Sequence, residues 1–293
     1  MAMTPLPAES GIVWLASYYK SGNTWFRTFL SNLLGGGTIP VSIDALTIPW
    51  GISRQHIDRF ICLDSSLLDS SELEEFWPDI TRQYVATEPG PHILKTHAAM
   101  LQVPSNKFLT TGSTAGAIYL IRNPLDVCIS FSHHLNMGID ATIDVMMNEK
   151  RAISGTLKNW RAAVPERISS WRTNVLSWLD NADMPTLVLR YEDILQSPQT
   201  LFRQAVDFLG LEYNDSQIAQ AIEFSSFSQL QAQEQQSGFR EKSPRTRQFF
   251  REGKQGGWRH QLNADQLQRL VDANGDVMDR LGYRIPTSAD LIR

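Results

Sequence analysis

Lys20-Ser21-Gly22-Asn23-Thr24 brings a cation, two hydroxyls and a glycine into five positions. An apolar run, Ile12 to Ala16, precedes them, and an amphipathic stretch opens at Thr24. Such residues at a strand-to-helix turn suit an anion, because free backbone N–H groups and the helix dipole both point into the turn. Lys20 adds a full positive charge, and Ser21 and Thr24 add hydroxyl donors. The turn is not the G-x-x-x-x-G-K-[ST] loop of ATP- and GTP-binding proteins. Only Lys20-Ser21 reproduces its last pair, and no glycine precedes Lys20 in the turn. On this segment alone, an anion cradle and an ordinary turn with a solvated lysine are both open.

Three further segments carry chemistry. Lys95-Thr96-His97 closes an apolar run, and His97 just beyond it suits a general base working near neutral pH. Arg122-Asn123-Pro124-Leu125-Asp126-Val127-Cys128-Ile129-Ser130 repeats the logic of the first turn: Arg122 ends a strand and Ser130 lies along the following helix. The pair can clamp a second anion, with arginine as a bidentate donor. Asp126 is expected to cap that helix or orient Arg122, and His133 and His134 to form a pair on its surface. Arg251-Glu252-Gly253-Lys254-Gln255-Gly256-Gly257-Trp258 combines charge with glycines that let backbone approach a ligand closely. A flexible solvated loop is the other reading of that segment.

The elements that must position these groups alternate. Strands are expected at 12–16, 92–96, 117–122 and 186–190, with helices between them and a helix from Pro198 to Leu209 that stops at Gly210. Short apolar strands separated by helices indicate a parallel sheet covered on both faces, and ligands bind such sheets beyond the carboxyl ends of the strands. Lys20, Lys95, His97 and Arg122 all fall there. Phe76, Trp77, Trp160, Trp171 and Trp178 read as core, whereas 231–257 reads as one long loop. The chain of 293 residues carries a net charge of −4, which argues against general nucleic-acid binding. Cys62 and Cys128 are expected as buried free thiols, and no acidic cluster suits a metal. No run reaches membrane-spanning length and the first ten residues look unlike a secretory signal, so a cytoplasmic protein is expected.

Taken in order, these segments resemble the sulfotransferases that use 3′-phosphoadenosine 5′-phosphosulfate, specifically the cytosolic branch. Lys20-Ser21-Gly22-Asn23-Thr24-Trp25 is similar to the family's 5′-phosphosulfate loop. Arg122 to Ser130 matches its 3′-phosphate motif R-N-P-x-D-V-x-x-S, and Lys95-Thr96-His97 resembles the segment of the catalytic histidine. Arg251 to Trp258 resembles the closing loop R-K-G-x-x-G-D-W. Tyr191-Glu192-Asp193 matches a Y-E-D whose tyrosine approaches the adenine, and Ser226-Phe227 resembles a further nucleotide contact.

The resemblance implies a single α/β domain over 1–293, its motif-bearing core at about 12–260, with a central parallel sheet flanked by helices in a P-loop-NTPase-like arrangement. It implies in-line sulfuryl transfer to a hydroxyl or amine of a small acceptor, adenosine 3′,5′-bisphosphate as product, and no metal. His97, Lys20 and Lys95 would be catalytic. Lys20, Ser21, Gly22, Asn23, Thr24, Trp25, Arg122, Ser130, Tyr191, Ser226, Phe227, Arg251, Glu252 and Gly253 would bind the donor. Neither nucleic acid nor membrane is an expected partner. The acceptor pocket is expected around 50–60, 133–147 and 236–250, partly apolar. Tyr19 replaces the usual proline, Glu252 a lysine and Gly257 an aspartate, and the K-x-x-x-T-V-x-x-x-E dimerisation pattern is not preserved, which leaves oligomeric state open. A nucleotide-dependent kinase of related fold and a non-catalytic nucleotide-binding protein are the alternatives.

Overall fold

The computed structural model describes residues 6, 11–110, 112–153, 164–181, 183–242, 246 and 248–292. Strand β1 (Ile12–Ser17) runs into helix α1 (Asn23–Gly35). β2 (Ile93–Thr96) follows after a group of short helices, and then β3 (Thr114–Ile121) leads into α2 (Pro124–Leu135). Two-residue strands β4 (Ala152–Ile153) and β5 (Glu166–Arg167) pair antiparallel. α3 (Trp171–Leu179), β6 (Thr186–Arg190), α4 (Tyr191–Gln196), α5 (Pro198–Phe208), α6 (Phe227–Ser237) and α7 (Ala264–Arg280) are the later elements that bear on the site.

Four parallel strands form the central sheet in the order β2-β1-β3-β6. Alternation along β1 sends its side chains into separate cores. Ile12, Trp14 and Ala16 join Tyr119, Trp171 and Trp178, whereas Val13 and Leu15 join Phe26, Phe29, Leu30 and Phe202. With both faces covered, the sheet leaves its carboxyl ends as the place where polar groups can collect. Asn123 caps α2, accepting the Leu125 N–H at 3.0 Å, and Pro124 stands at the first helical position, where its missing N–H costs nothing.

Two expectations are corrected. Gln231 to Ser237 is the second half of α6, not loop. Its amphipathic signal is weak because polar side chains occupy its inner face. Glu234, 5% exposed, accepts the N–H groups of Phe249 and Phe250 at 2.7 and 2.8 Å, and the Gln231 amide donates to the Phe250 carbonyl. Cys62 is exposed because the helix 54–61 ends at it, in a left-handed turn (φ 56°), whereas Cys128 is buried in α2. Trp77, Trp171 and Trp178 are core and Phe76 packs against it; Trp160 lies outside the described residues.

Candidate active site

The turn between β1 and α1 is a sharp one. Lys20 has φ 63° and Gly22 φ 98°, so the chain doubles back within three residues and presents the first amides of α1, a helix with no side-chain cap. Only glycine fits at position 22, since a Cβ there would lie 2.7 Å from the Tyr191 ring. Asn23 braces the turn by donating to the Leu15 carbonyl and the Ser17 hydroxyl at 3.0 and 3.1 Å. The Ser21 hydroxyl is buried without a hydrogen-bond partner among the described residues, as is Arg122 Nε. The free amides at this helix N-terminus, beside the Lys20 charge, fit a phosphate group.

Arg122 stitches this turn to the closing loop. Its guanidinium donates to the Lys20 carbonyl at 3.1 Å and to the Lys254 carbonyl at 3.0 Å, and lies 4.5 Å above the Tyr191 ring. Asp126 neither caps α2 nor pairs with Arg122, contrary to expectation. Its carboxylate accepts the N–H groups of Gly256 and Trp258, which fastens the closing loop to α2. Gly253 (φ 61°) packs against Phe227 so closely that a Cβ would sit 2.4 Å from the ring. Arg251 donates to His133 Nε2 at 2.7 Å and pairs with Glu252 at 3.3 Å. The Glu252 carboxylate thus offsets part of the charge Arg251 brings. Of the Tyr191-Glu192-Asp193 run, Tyr191 faces the cavity, while Glu192 accepts the Asn123 N–H and the Tyr283 hydroxyl.

His97 is held from three sides. Its Nδ1 lies 2.7 Å from the Ser17 carbonyl, which can only accept, so Nδ1 carries the proton and Nε2 is the basic nitrogen. Asn174 of α3 donates to its carbonyl at 3.1 Å, and Glu166 of β5 accepts its N–H at 3.1 Å together with the Thr96 hydroxyl at 2.9 Å. The ring packs on Tyr19, centroids 4.4 Å apart, and Tyr19 in turn stacks on Phe131. Tyr19 in place of proline therefore adds an aromatic wall beside the histidine. Burial, and then the Lys95 charge, hold the imidazole well below its ordinary pKa, so it is neutral and able to accept a proton.

Both lysines are perturbed in the same direction, Lys20 more than Lys95. Lys20 Nζ lies 3.8 Å from the centre of the Phe249 ring; burial first, then Arg122 and Lys95, lowers its pKa to about 7. Lys95 Nζ lies 3.9 Å from the Trp50 ring and 3.4 Å from Glu241, and burial lowers its pKa to about 8. Burial works to raise the pKa of Glu241, but Lys95 and Arg27 carry it below the usual carboxylate range.

The two lysines, the His97 ring and the phosphate turn meet at one cavity of about 370 Å³. Lys20, Gly22, Asn23, Thr24, Trp25, Lys95, His97, Arg122, Ser130, Tyr191, Ser226, Phe227, Arg251, Glu252 and Gly253 all line it. Ser21, 2% exposed, is the one predicted site residue that does not. Over residues 11–282 the chain also matches the model of the sulfotransferase domain. The chain belongs to the sulfotransferase family.

This sulfotransferase is 24% identical over 291 residues to sulfotransferase 6B1 of Mus musculus, covering 96% of this chain and 83% of that protein. It is 22% identical over 273 residues to cytosolic sulfotransferase 12 of Arabidopsis thaliana, covering 90% and 77%. Its fold is similar to that of a retinol dehydratase in complex with androsterone and inactive cofactor PAP (TM-score 0.60, 18% identity, 97% and 84% covered). It is also similar to that of mouse sulfotransferase SULT7A1 complexed with PAP (TM-score 0.57, 20% identity, 92% and 84% covered).

Sequence reasoning left several of the sulfotransferase's cavity residues unnamed. Trp50, Glu241, Phe249 and Phe250 lie inside the expected acceptor segments, but nothing in their local pattern separates them from neighbours such as Phe60 and Met147, which do not line the cavity. His134 is not a surface residue: it lines the cavity, lies 6.1 Å from Phe249, and burial lowers its pKa to about 4. Glu166 carries no signal in the sequence at all, since an isolated Glu-Arg in a two-residue strand resembles any exposed turn. Among the described residues no helix is long and apolar enough to cross a membrane, and no group of three His, Cys, Asp or Glu residues is placed to hold a metal ion.

Proposed function

We propose that this chain transfers a sulfuryl group from 3′-phosphoadenosine 5′-phosphosulfate directly to a hydroxyl or amine of a small acceptor, releasing adenosine 3′,5′-bisphosphate. The observation that carries the reading is the neutral His97, its Nε2 free to accept a proton, on the same cavity as two desolvated ammonium groups, Lys20 and Lys95. The donor supplies an electrophilic sulfur with a phosphate as leaving group.

Around that sulfur, His97 Nε2 takes the acceptor's proton as the new bond to sulfur forms and the bond from sulfur to the 5′-phosphate oxygen breaks. Lys20 and the first amides of α1 stabilise the charge that gathers on the departing phosphate, a preorganised role that usually contributes most to such reactions. Lys95 stands on the acceptor side, beside Trp50 and Glu241, where a positive charge steadies the transferring oxygens. Arg122, Ser130 and Arg251 take the 3′-phosphate, while Trp25, Tyr191 and Phe227 supply aromatic surface for the adenine.

Calorimetric titration with adenosine 3′,5′-bisphosphate and with ATP, each with and without magnesium, tests the donor. Tighter, metal-independent binding of the bisphosphate is expected, and tighter magnesium-dependent binding of ATP would overturn the reading. Screening small hydroxylated and amine acceptors with sulfur-labelled donor tests the transfer itself.

A further inference from the structure

Glu241 follows α6 and belongs to neither the phosphate turn nor the histidine segment, yet its carboxylate closes the site between them. It accepts from Arg27 at 2.7 and 2.9 Å and from Lys95 Nζ at 3.4 Å. Arg27 projects from α1, the helix that opens at the phosphate turn, and its other nitrogens donate to the Ile48 carbonyl at 2.7 and 3.0 Å. Both cations are nearly sealed from water, with side chains 4% and 5% exposed, whereas Glu241 reaches the cavity and is 28% exposed. A buried ammonium beside a buried guanidinium is stable only if an anion separates them. Glu241 is the carboxylate whose ion pair Lys95 makes directly.

We infer that Glu241 is a positioning residue for Lys95: it aims the ammonium into the cavity, keeps it charged, and ties the segment after α6 to the reacting centre. This rests on the sulfuryl-transfer reading, in which Lys95 stands at the transfer step. The groups facing Lys95 come from every side. Arg27 of α1, Lys20 of the phosphate turn and His97 beyond β2 are basic, Glu166 of β5 and Glu241 are acidic, and the Trp50 ring covers the ammonium. Glu166 is already engaged by the Thr96 hydroxyl and the His97 N–H, so it does not replace Glu241. Removing the Glu241 charge leaves Lys95 facing Arg27 without a screen, and the ammonium gives up its proton at lower pH.

The test is Glu241→Gln in the full chain, which keeps the shape and removes the charge. Competitive labelling with acetic anhydride, read by mass spectrometry on the peptide carrying Lys95, follows that amine's titration without donor or acceptor. Wild-type Lys95 should titrate near the value of about 8, and E241Q about one unit lower or more. Transfer assays should show a matching, pH-dependent loss of kcat. For a one-unit fall the charged fraction at pH 8 drops about fivefold, while at pH 6.5 the two proteins differ by less than about twofold. In the Lys95→Arg background the pH-dependent part of the E241Q defect should vanish, because a guanidinium stays charged. An unchanged Lys95 titration in E241Q, with the same melting temperature as wild type, overturns the inference. A shifted titration in a protein that transfers no sulfuryl group leaves the Glu241–Lys95 coupling standing and instead overturns the activity.

Discussion

Lys20 makes a quantitative prediction about donor binding. Its pKa is lowered to about 7 by burial and by Arg122, Lys95 and Arg251, whereas a phosphate held against it would restore the charged form. The free protein loses the Lys20 proton as pH rises through 7, and the complex keeps it, so binding takes up a proton above pH 7 and affinity falls as pH rises. For a single group with this pKa in the free protein and a much higher one in the complex, affinity for adenosine 3′,5′-bisphosphate drops about fivefold from pH 7 to 8 and about fifty-fold by pH 9. Both phosphates of the ligand are about nine-tenths ionised or more in this range, so the slope they add is small and of opposite sign. Lys95 titrates in the same window, and Lys20→Arg separates the two, since a guanidinium does not deprotonate. Isothermal titration at pH 7, 8 and 9, in buffers of different ionisation enthalpy, measures both affinity and protons taken up. Wild type should show a steeper fall than K20R and a larger proton uptake at pH 8. Equal slopes and equal uptake would refute the claim that Lys20 is desolvated and meets the phosphate.

His97→Ala should cost about 10²–10⁴-fold in kcat while leaving bisphosphate affinity within a few-fold, because the ring contacts Ser17 and Tyr19 rather than the phosphate turn's amides; parallel loss of both, by calorimetry and turnover, would make His97 structural. Glu166→Ala should lower kcat with little change in the Kd of the nucleotide, since it releases the Thr96 hydroxyl and the His97 N–H together, and Glu166→Gln, which keeps an acceptor oxygen, should recover most of the loss. If Gln is as impaired as Ala, the charge of Glu166 matters rather than its hydrogen bonds.

The sequence by itself determined the sheet and one half of the site. Short apolar runs ending in polar turns are legible because burial on both faces demands them, and Lys20, Lys95, His97 and Arg122 sit at or just past strand ends where local order alone places them. The phosphate turn was readable for the same reason: its chemistry is carried by consecutive residues. What only the tertiary structure decided is whatever depends on partners far along the chain. Asp126 holds a loop 130 residues away, Glu166 holds a histidine from a two-residue strand, and Glu241 meets a lysine 146 residues before it. The second half of helix α6 escaped the sequence reading because its inward side chains, Gln231 and Glu234, are polar and satisfied from outside the helix. The lysines' lowered pKa values belong to this second group too, since desolvation is a property of the closed cavity and not of the residue.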